Sequence, residues 1–238
     1  MAYYEKKLSG ERMRECYRIA PPRVRQYLDA EIAHVLERLR SRGSGGSRGA
    51  VLERGSRAVV LELGCAYGRV MTELAKVADR VVGIDTASGS LRLGRELVGS
   101  GSRYEFLEMD AVRMAFPDGC FDAVVCIQNG ICAFNVDKVR LVREAVRVTR
   151  PCGIVLFSSY AGRFWDHRLE WFRVQSEAGL LGEIDEERTR DGVIVCKDGF
   201  SSGMMTPSDF RELCAGLDLD CTITGVDNSS TFCEINVT

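Results

Sequence analysis

The sequence predicts an α/β protein built on a doubly wound, mostly parallel seven-stranded sheet, with an antiparallel C-terminal hairpin strand and an N-terminal helical arm. Three observations carry the prediction. From residue 58 onward, short and continuously apolar runs alternate with amphipathic stretches, as strands buried on both faces do when helices separate them. The last two apolar runs are divided only by Asp227-Asn-Ser-Ser230, too short for a helical crossover, so they are antiparallel neighbours. An apolar stripe near the N-terminus is cut off from the rest by Ser41-Arg-Gly-Ser-Gly-Gly-Ser-Arg-Gly49, a flexible-linker composition.

In chain order, Pro21-Pro22 precedes Val24, Tyr27, Leu28, Ile32, Val35, Leu36 and Leu39. Their spacing of three, four and seven predicts a helix over about 22–41, with proline at its start. Strands are predicted at 58–63, 81–84, 104–109, 121–127 and 153–157, with helices near 69–79, 89–99 and 136–149 between them. The closing strands are 219–226 and 231–237. Residues 1–57 are therefore expected to form a helical arm or lid with its linker, and 58–238 the main domain. That domain carries a covering insertion at about 160–192.

Composition excludes several classes. Of 238 residues 45% are apolar and 28% charged, enough for a sizeable core, and no apolar run approaches the roughly 18 to 20 residues of a membrane span. No secretory leader is read at the start, so the expected compartment is the cytoplasm. The net charge of −2 offers no field for gripping nucleic acid. Residues 1–57, however, hold 13 basic and 7 acidic side chains, either a solvated helical face or a dock for an anionic substrate or RNA. Ten cysteines lack any C-x-x-C pair and only two histidines are present, so no metal site is expected. Thiols inside apolar runs, such as Cys126, read as small hydrophobes.

In a doubly wound sheet the ligand sits at the carboxyl ends of the strands. The first turn there reads Glu62-Leu-Gly64-Cys65-Ala66-Tyr-Gly68. Its small residues lie two and four positions after Gly64, with Arg69 at five, which departs from the dinucleotide fingerprint, and no P-loop is present. The loop suits a nucleoside ligand without a pyrophosphate. Val60 to Arg69 resembles the first motif, E/D-x-G-x-G-x-G, of class I S-adenosylmethionine-dependent methyltransferases, with Ala66 in place of the middle glycine. Val81-Val-Gly-Ile-Asp85, Phe106-Leu-Glu-Met-Asp110-Ala111, Phe116-Pro-Asp-Gly-Cys-Phe121-Asp122 and Arg150-Pro-Cys-Gly153 resemble that family's later motifs, in order over about 100 residues.

The resemblance implies a Rossmann-like fold and S-adenosylmethionine as cofactor, with S-adenosylhomocysteine as product. It implies that Asp85 accepts hydrogen bonds from the ribose hydroxyls, a task suited to a carboxylate. Asp110 would meet the adenine amino group and the Ala111 amide a ring nitrogen. Glu62, Gly64, Cys65, Ala66, Gly68, Thr86 and Gln128 complete the expected cofactor site. Methyl transfer is an in-line displacement that needs the acceptor held about 3 to 3.5 Å from the methyl carbon with water excluded. A general base is optional, because neutral amines and thiolates attack directly.

After the fourth strand the chain reads Ile127-Gln128-Asn129-Gly130-Ile131-Cys132-Ala133-Phe134, without the N/D-P-P-Y/F that stacks a flipped base, which disfavours base methylation. It is somewhat similar to the L-G-N-S-F segment of glycine and sarcosine N-methyltransferases. Asn129 either orients the acceptor or caps the turn. Tyr160 to Val174 is dense in aromatic and basic groups. Aromatic rings there exclude water or bind a cationic amine, and Arg163 and Arg168 pair with a carboxylate or phosphate, or else Phe164, Trp165, Leu169 and Phe172 are core. Asn129, His167 and Tyr160 are the candidate catalytic residues. The leading expectation is methyl transfer to a small-molecule N, O or S acceptor. The alternatives are a tRNA or protein methyltransferase docking through the basic arm, metalloid methylation through Cys65, Cys126 and Cys132, and a non-catalytic cofactor-binding module.

Overall fold

The computed structural model describes residues 2–41, 58–99, 101 and 103–238; the expected linker lies outside them. Three helices open the chain: α1 (Ala2–Lys6), α2 (Glu11–Arg18) and α3 (Pro22–Ser41). Strand β1 (Val59–Leu63) follows, then α4 (Arg69–Leu74), β2 (Arg80–Asp85), α5 (Ser88–Val98), β3 (Tyr104–Glu108) and β4 (Phe121–Cys126). Next come α6 (Gly130–Ala133), α7 (Lys138–Val148) and β5 (Thr149–Tyr160). The covering segment holds a 3₁₀ turn (Gly162–Phe164), α8 (Trp165–Glu177) and the two-residue strands β6 (Ile194–Val195) and β7 (Ser201–Ser202). The chain closes with α9 (Pro207–Ala215), β8 (Cys221–Val226) and β9 (Ser230–Asn236).

The seven-stranded sheet runs β3-β2-β1-β4-β5-β9-β8. The first five strands are parallel, while β9 lies antiparallel to both β5 and β8. Chain order reverses between β1 and β4, and this switch point opens the crevice above them. Its central strands are buried on both faces; Val60, Leu61, Val124, Val125, Val155 and Leu156 are all fully buried. Each such side chain contributes roughly 1.5–3 kcal/mol of burial. One face packs beneath α4, α5 and the second half of α3, through Ile32, Val35 and Leu39. The other packs beneath α7 and α9, through Leu141, Val142 and Phe210.

Two of the expected motifs turn out to meet. The Asp122 carboxylate accepts the Val59 amide at 2.6 Å and pairs with Arg150 at 2.6 Å. The F-D and R-P-x-G segments thus tie β1, β4 and β5 together at the end of the sheet away from the crevice. The covering segment runs past residue 192 to Met205, since β6 and β7 are too short to leave any periodicity in the sequence. Among the described residues, no helix is long and apolar enough to cross a membrane.

Candidate functional site at the carboxyl ends of the strands

A cavity of about 170 Å³ lies above the switch point, floored by the strand ends and roofed by the arm and the covering segment. The turn after β1 forms its near wall. Gly64 and Gly68 sit at φ +74° and +83°, a conformation open to glycine at no steric cost. A Cβ on Gly64 would lie 2.5 Å from the Phe134 ring. Ala66 adopts φ +46°, so the turn keeps a glycine-like path at the position where the family motif has glycine. The strain is offset locally, because the Ala66 amide donates to Asp85 Oδ2 at 2.9 Å.

Asp85 at the end of β2 is the hub of this wall. Its other oxygen, Oδ1, accepts the Ala87 amide at 2.8 Å, and the carboxylate keeps lone-pair capacity for a ligand donor. Burial raises its pKa, and the amides of Ala87, Ala66 and Thr86 pull it back. Asp110, beyond β3, accepts the Val112 amide at 3.1 Å. Asp85, Thr86, Asp110 and Ala111 all line the cavity, as do Glu62, Gly64, Cys65 and Ala66. Gly68 does not; it caps α4 instead.

Three buried polar atoms in the wall lack a hydrogen-bond partner: Glu62 Oε2, Arg69 Nη2 and Gln128 Nε2. Such groups are rare in folded proteins because each costs about 1–3 kcal/mol. Burial pushes the Glu62 carboxyl up to about 8, against the attraction of Arg69. The Arg69 guanidinium lies over the Tyr17 ring of α2 at 4.6 Å. Sequence reasoning passed over Arg69 as a poor fit to the dinucleotide pattern, and its signal was the charge itself, one residue past the loop.

On the roof side the structure corrects several expectations. Asn129 is buried and lines the cavity, yet its side chain neither caps α6 nor points free. Its Nδ2 donates to the Gly203 carbonyl at 3.0 Å and its Oδ1 accepts from Ser159 at 2.8 Å, which pins the turn after β4 to the covering segment. His167 lies outside the cavity lining, exposed on α8 and 3.8 Å from Glu170, because the helical turn that buries Phe164 and Arg168 points residue 167 outward. Arg168 is wholly buried. Its guanidinium is taken up by the protein, donating to the carbonyls of Gly192, Ser202 and Gly203 at 2.6–3.0 Å with Tyr160 stacked 4.5 Å beneath it. Tyr160 does line the cavity, and burial holds its phenol protonated far above neutrality. Among the described residues, Cys65, Cys126 and Cys132 form no thiol cluster, which removes the expected basis for metalloid chemistry.

Glu31 was missed. It sits on the buried face of α3 between Tyr27, Leu28 and Val35, the one acid in that apolar stripe, and this misplacement was its legible signal. Its Oε2 accepts the Gln128 amide at 2.7 Å and the Ser158 hydroxyl at 2.9 Å. Burial raises its pKa to about 7, against those hydrogen bonds. The arm thereby fixes the left-handed backbone of Gln128, at φ +57°, beside the cavity.

The comparisons with known proteins agree with the fold. Residues 60–153 match the methyltransferase domain family. Over 105 residues the chain is 31% identical to the 2-methyl-6-phytyl-1,4-hydroquinone methyltransferase of Synechocystis, covering 44% of this chain and 32% of that protein. It spans less than half the length of the curated relatives it matches. In three dimensions it resembles the magnesium protoporphyrin IX methyltransferase of Synechocystis with bound SAH, at a TM-score of 0.64 and 14% identity over 100% of this chain and 97% of that one. The PH0226 protein of Pyrococcus horikoshii aligns at a TM-score of 0.62 and 21% identity, over 100% and 99% of the two chains. Residues 60–153 thus carry a methyltransferase domain, and the motif order and sheet order around it resemble those of class I S-adenosylmethionine-dependent methyltransferases.

Proposed function

We propose that the protein transfers a methyl group from S-adenosylmethionine to a small, largely apolar acceptor by in-line displacement. The observation that carries this reading is the division of one cavity into a polar floor and an apolar roof. In the floor, Glu62 Oε2 and Arg69 Nη2 are left without hydrogen-bond partners, a carboxyl that an ammonium would ionise beside a guanidinium that would pair with a carboxylate, the complement of one amino-acid moiety. Asp85 would hold the ribose, Asp110 and Ala111 the adenine, and Gln128 Nε2 would donate to a ligand acceptor. Bound there, the cofactor supplies a methyl group on a positively charged sulfur.

The remaining work falls to the roof. Tyr4, Cys16, Tyr17, Tyr160, Trp171 and Phe200 face the cavity from the arm and the covering segment, so they exclude water and favour an apolar or aromatic acceptor. Burial keeps the phenols of Tyr4, Tyr17 and Tyr160 protonated at neutral pH, which makes them hydrogen-bond donors that orient the acceptor and not bases. An amine or thiolate acceptor needs no base.

The docking alternative draws no support. Among the described residues, some of the arm's cations are engaged within the chain, in pairs such as Arg23 with Asp227 and Arg38 with Glu234. Cys16, Cys65, Cys126, Cys196, Cys214 and Cys233 are buried as thiols, which favours a reducing compartment such as the cytoplasm. The test is incubation with methyl-labelled S-adenosylmethionine and a metabolite extract, then mass spectrometry of labelled products. Label in apolar small molecules supports the reading; label only in RNA or protein contradicts the acceptor class, and none at all with bound cofactor leaves a non-catalytic module.

A further inference from the structure

Away from the cavity, three thiols converge under the C-terminal hairpin. The Sγ atoms of Cys214, Cys221 and Cys233 all lie within 4.8 Å of one another, with Cys214 and Cys233 3.7 Å apart. The topology dictates this meeting. Cys221 opposes Ile235 across the β8–β9 pair and Cys233 opposes Ile223, so both cysteines stand on one face of the hairpin as diagonal neighbours. Helix α9 covers that face and lays Cys214, from its last turn, over the pair. In β5, Phe157 pairs with Cys233 while Tyr160, at the cavity, pairs with Ser230. The cluster therefore sits lower in the sheet, and none of the three cysteines lines the cavity.

We propose that Cys214, Cys221 and Cys233 form a three-thiolate site for one soft, thiophilic cation of the Zn(II) and Cu(I) class, stapling α9 to the β8–β9 hairpin. Sulfurs bound about 2.3 Å from a common ion stand roughly 3.8–4.0 Å apart, within the span of the observed separations. An all-sulfur donor set selects soft cations over magnesium or calcium. Two of the thiols are buried and Cys221 is half-buried, which leaves an approach from one side. Binding displaces the thiol protons to solvent; a divalent ion with three thiolates carries one net negative charge, which Arg211, whose cation acts on Cys221, partly offsets.

The inference is independent of methyl transfer and is tested without it. Anaerobically reduced full-length protein would be titrated with Zn(II), Cu(I) and, as an optical reporter, Cd(II). The expected result is one equivalent bound per chain, a thiolate-to-cadmium charge-transfer band in the ultraviolet, and a higher melting temperature with metal. Cys221→Ser, at the least buried position, should weaken binding at least tenfold while the fold persists. Cys152→Ser, an exposed thiol elsewhere, should leave it unchanged. Absence of the band and of any melting shift, or binding undiminished in both Cys221→Ser and the double variant Cys214→Ala/Cys233→Ala, would overturn the site.

Discussion

The sheet and the roof above it are built on different principles. The sheet core is aliphatic, its strands are held by regular backbone ladders, and its polar ties such as Asp122 with Arg150 and Val59 are few. The roof is aromatic, gathering Tyr27, Tyr160, Phe164, Trp171, Phe172 and Phe200 around the buried Arg168. Side chains reaching lone carbonyls hold it together: Arg168 to Gly192, Ser202 and Gly203, Trp171 Nε1 to Cys16 at 3.0 Å, and Asn129 to Gly203. A ladder tolerates the loss of one side chain because its backbone bonds remain. A roof whose irregular backbone is satisfied by single side chains does not, and under the proposed function that contrast would separate cofactor binding in the floor from acceptor handling above.

The largest effect should come from breaking the roof alone. Arg168→Met removes the arginine donor from the Gly192 and Ser202 carbonyls and leaves Gly203 with Asn129 alone, at about 1–3 kcal/mol for each carbonyl left unpaired where water cannot reach. Turnover should fall at least a hundredfold while hydrogen exchange shows the β1–β5 ladder still protected. Loss of protection throughout the sheet would mean that the two regions unfold as one. Next, Asp85→Ala should weaken cofactor affinity tenfold or more in calorimetry and leave roof exchange untouched; unchanged affinity would remove the ribose assignment.

Smaller effects sharpen the division. Glu62 and Glu31 have folded-state pKa values of about 8 and about 7, above the ordinary 4.5. Both are protonated more readily when folded, so the stability these two groups contribute is fullest below about pH 4.5 and is lost as pH rises toward 8. A cofactor ammonium would favour ionised Glu62, so binding at pH 7 should release a proton. Glu62→Gln should abolish that release and cost several-fold in affinity; persistent release would place the proton elsewhere. Smallest of all, Ala66→Gly relieves a positive φ but loosens the unfolded chain, so stability should change by no more than about 1 kcal/mol and affinity should hold or tighten. A large loss of affinity would mean that the alanine methyl itself contacts the ligand.

Legibility followed the same divide. Apolar runs, helical stripes and glycine turns are local signals, so the parallel strands, α3 and the closing hairpin were readable from spacing. Asp85, Asp110 and the glycine loop were legible because their positions are fixed by the ends of those strands. Roof residues depend on contacts between distant segments, and no local pattern reports where Arg168 or Asn129 finds its partners. His167 attracted notice as a titratable group in a suggestive segment, yet helical phase turns it outward. The thiol cluster was hidden for the same reason, since Cys214, Cys221 and Cys233 meet only through strand register and the crossing of α9. Among the missed residues Glu31 left a trace as an acid inside an apolar stripe, and Arg69 as a charge one residue past the glycine loop.

The central claim is that the floor of this cavity grips a sulfonium nucleoside through Asp85, Asp110 and the Glu62–Arg69 pair. Calorimetric titration of the full chain with S-adenosylhomocysteine tests it most directly. The account predicts saturable binding of one equivalent per chain, weakened at least tenfold by Asp85→Ala and unchanged by Cys221→Ser. Folded wild-type protein that takes up none of the compound, or an Asp85→Ala variant that binds it as tightly, would contradict it.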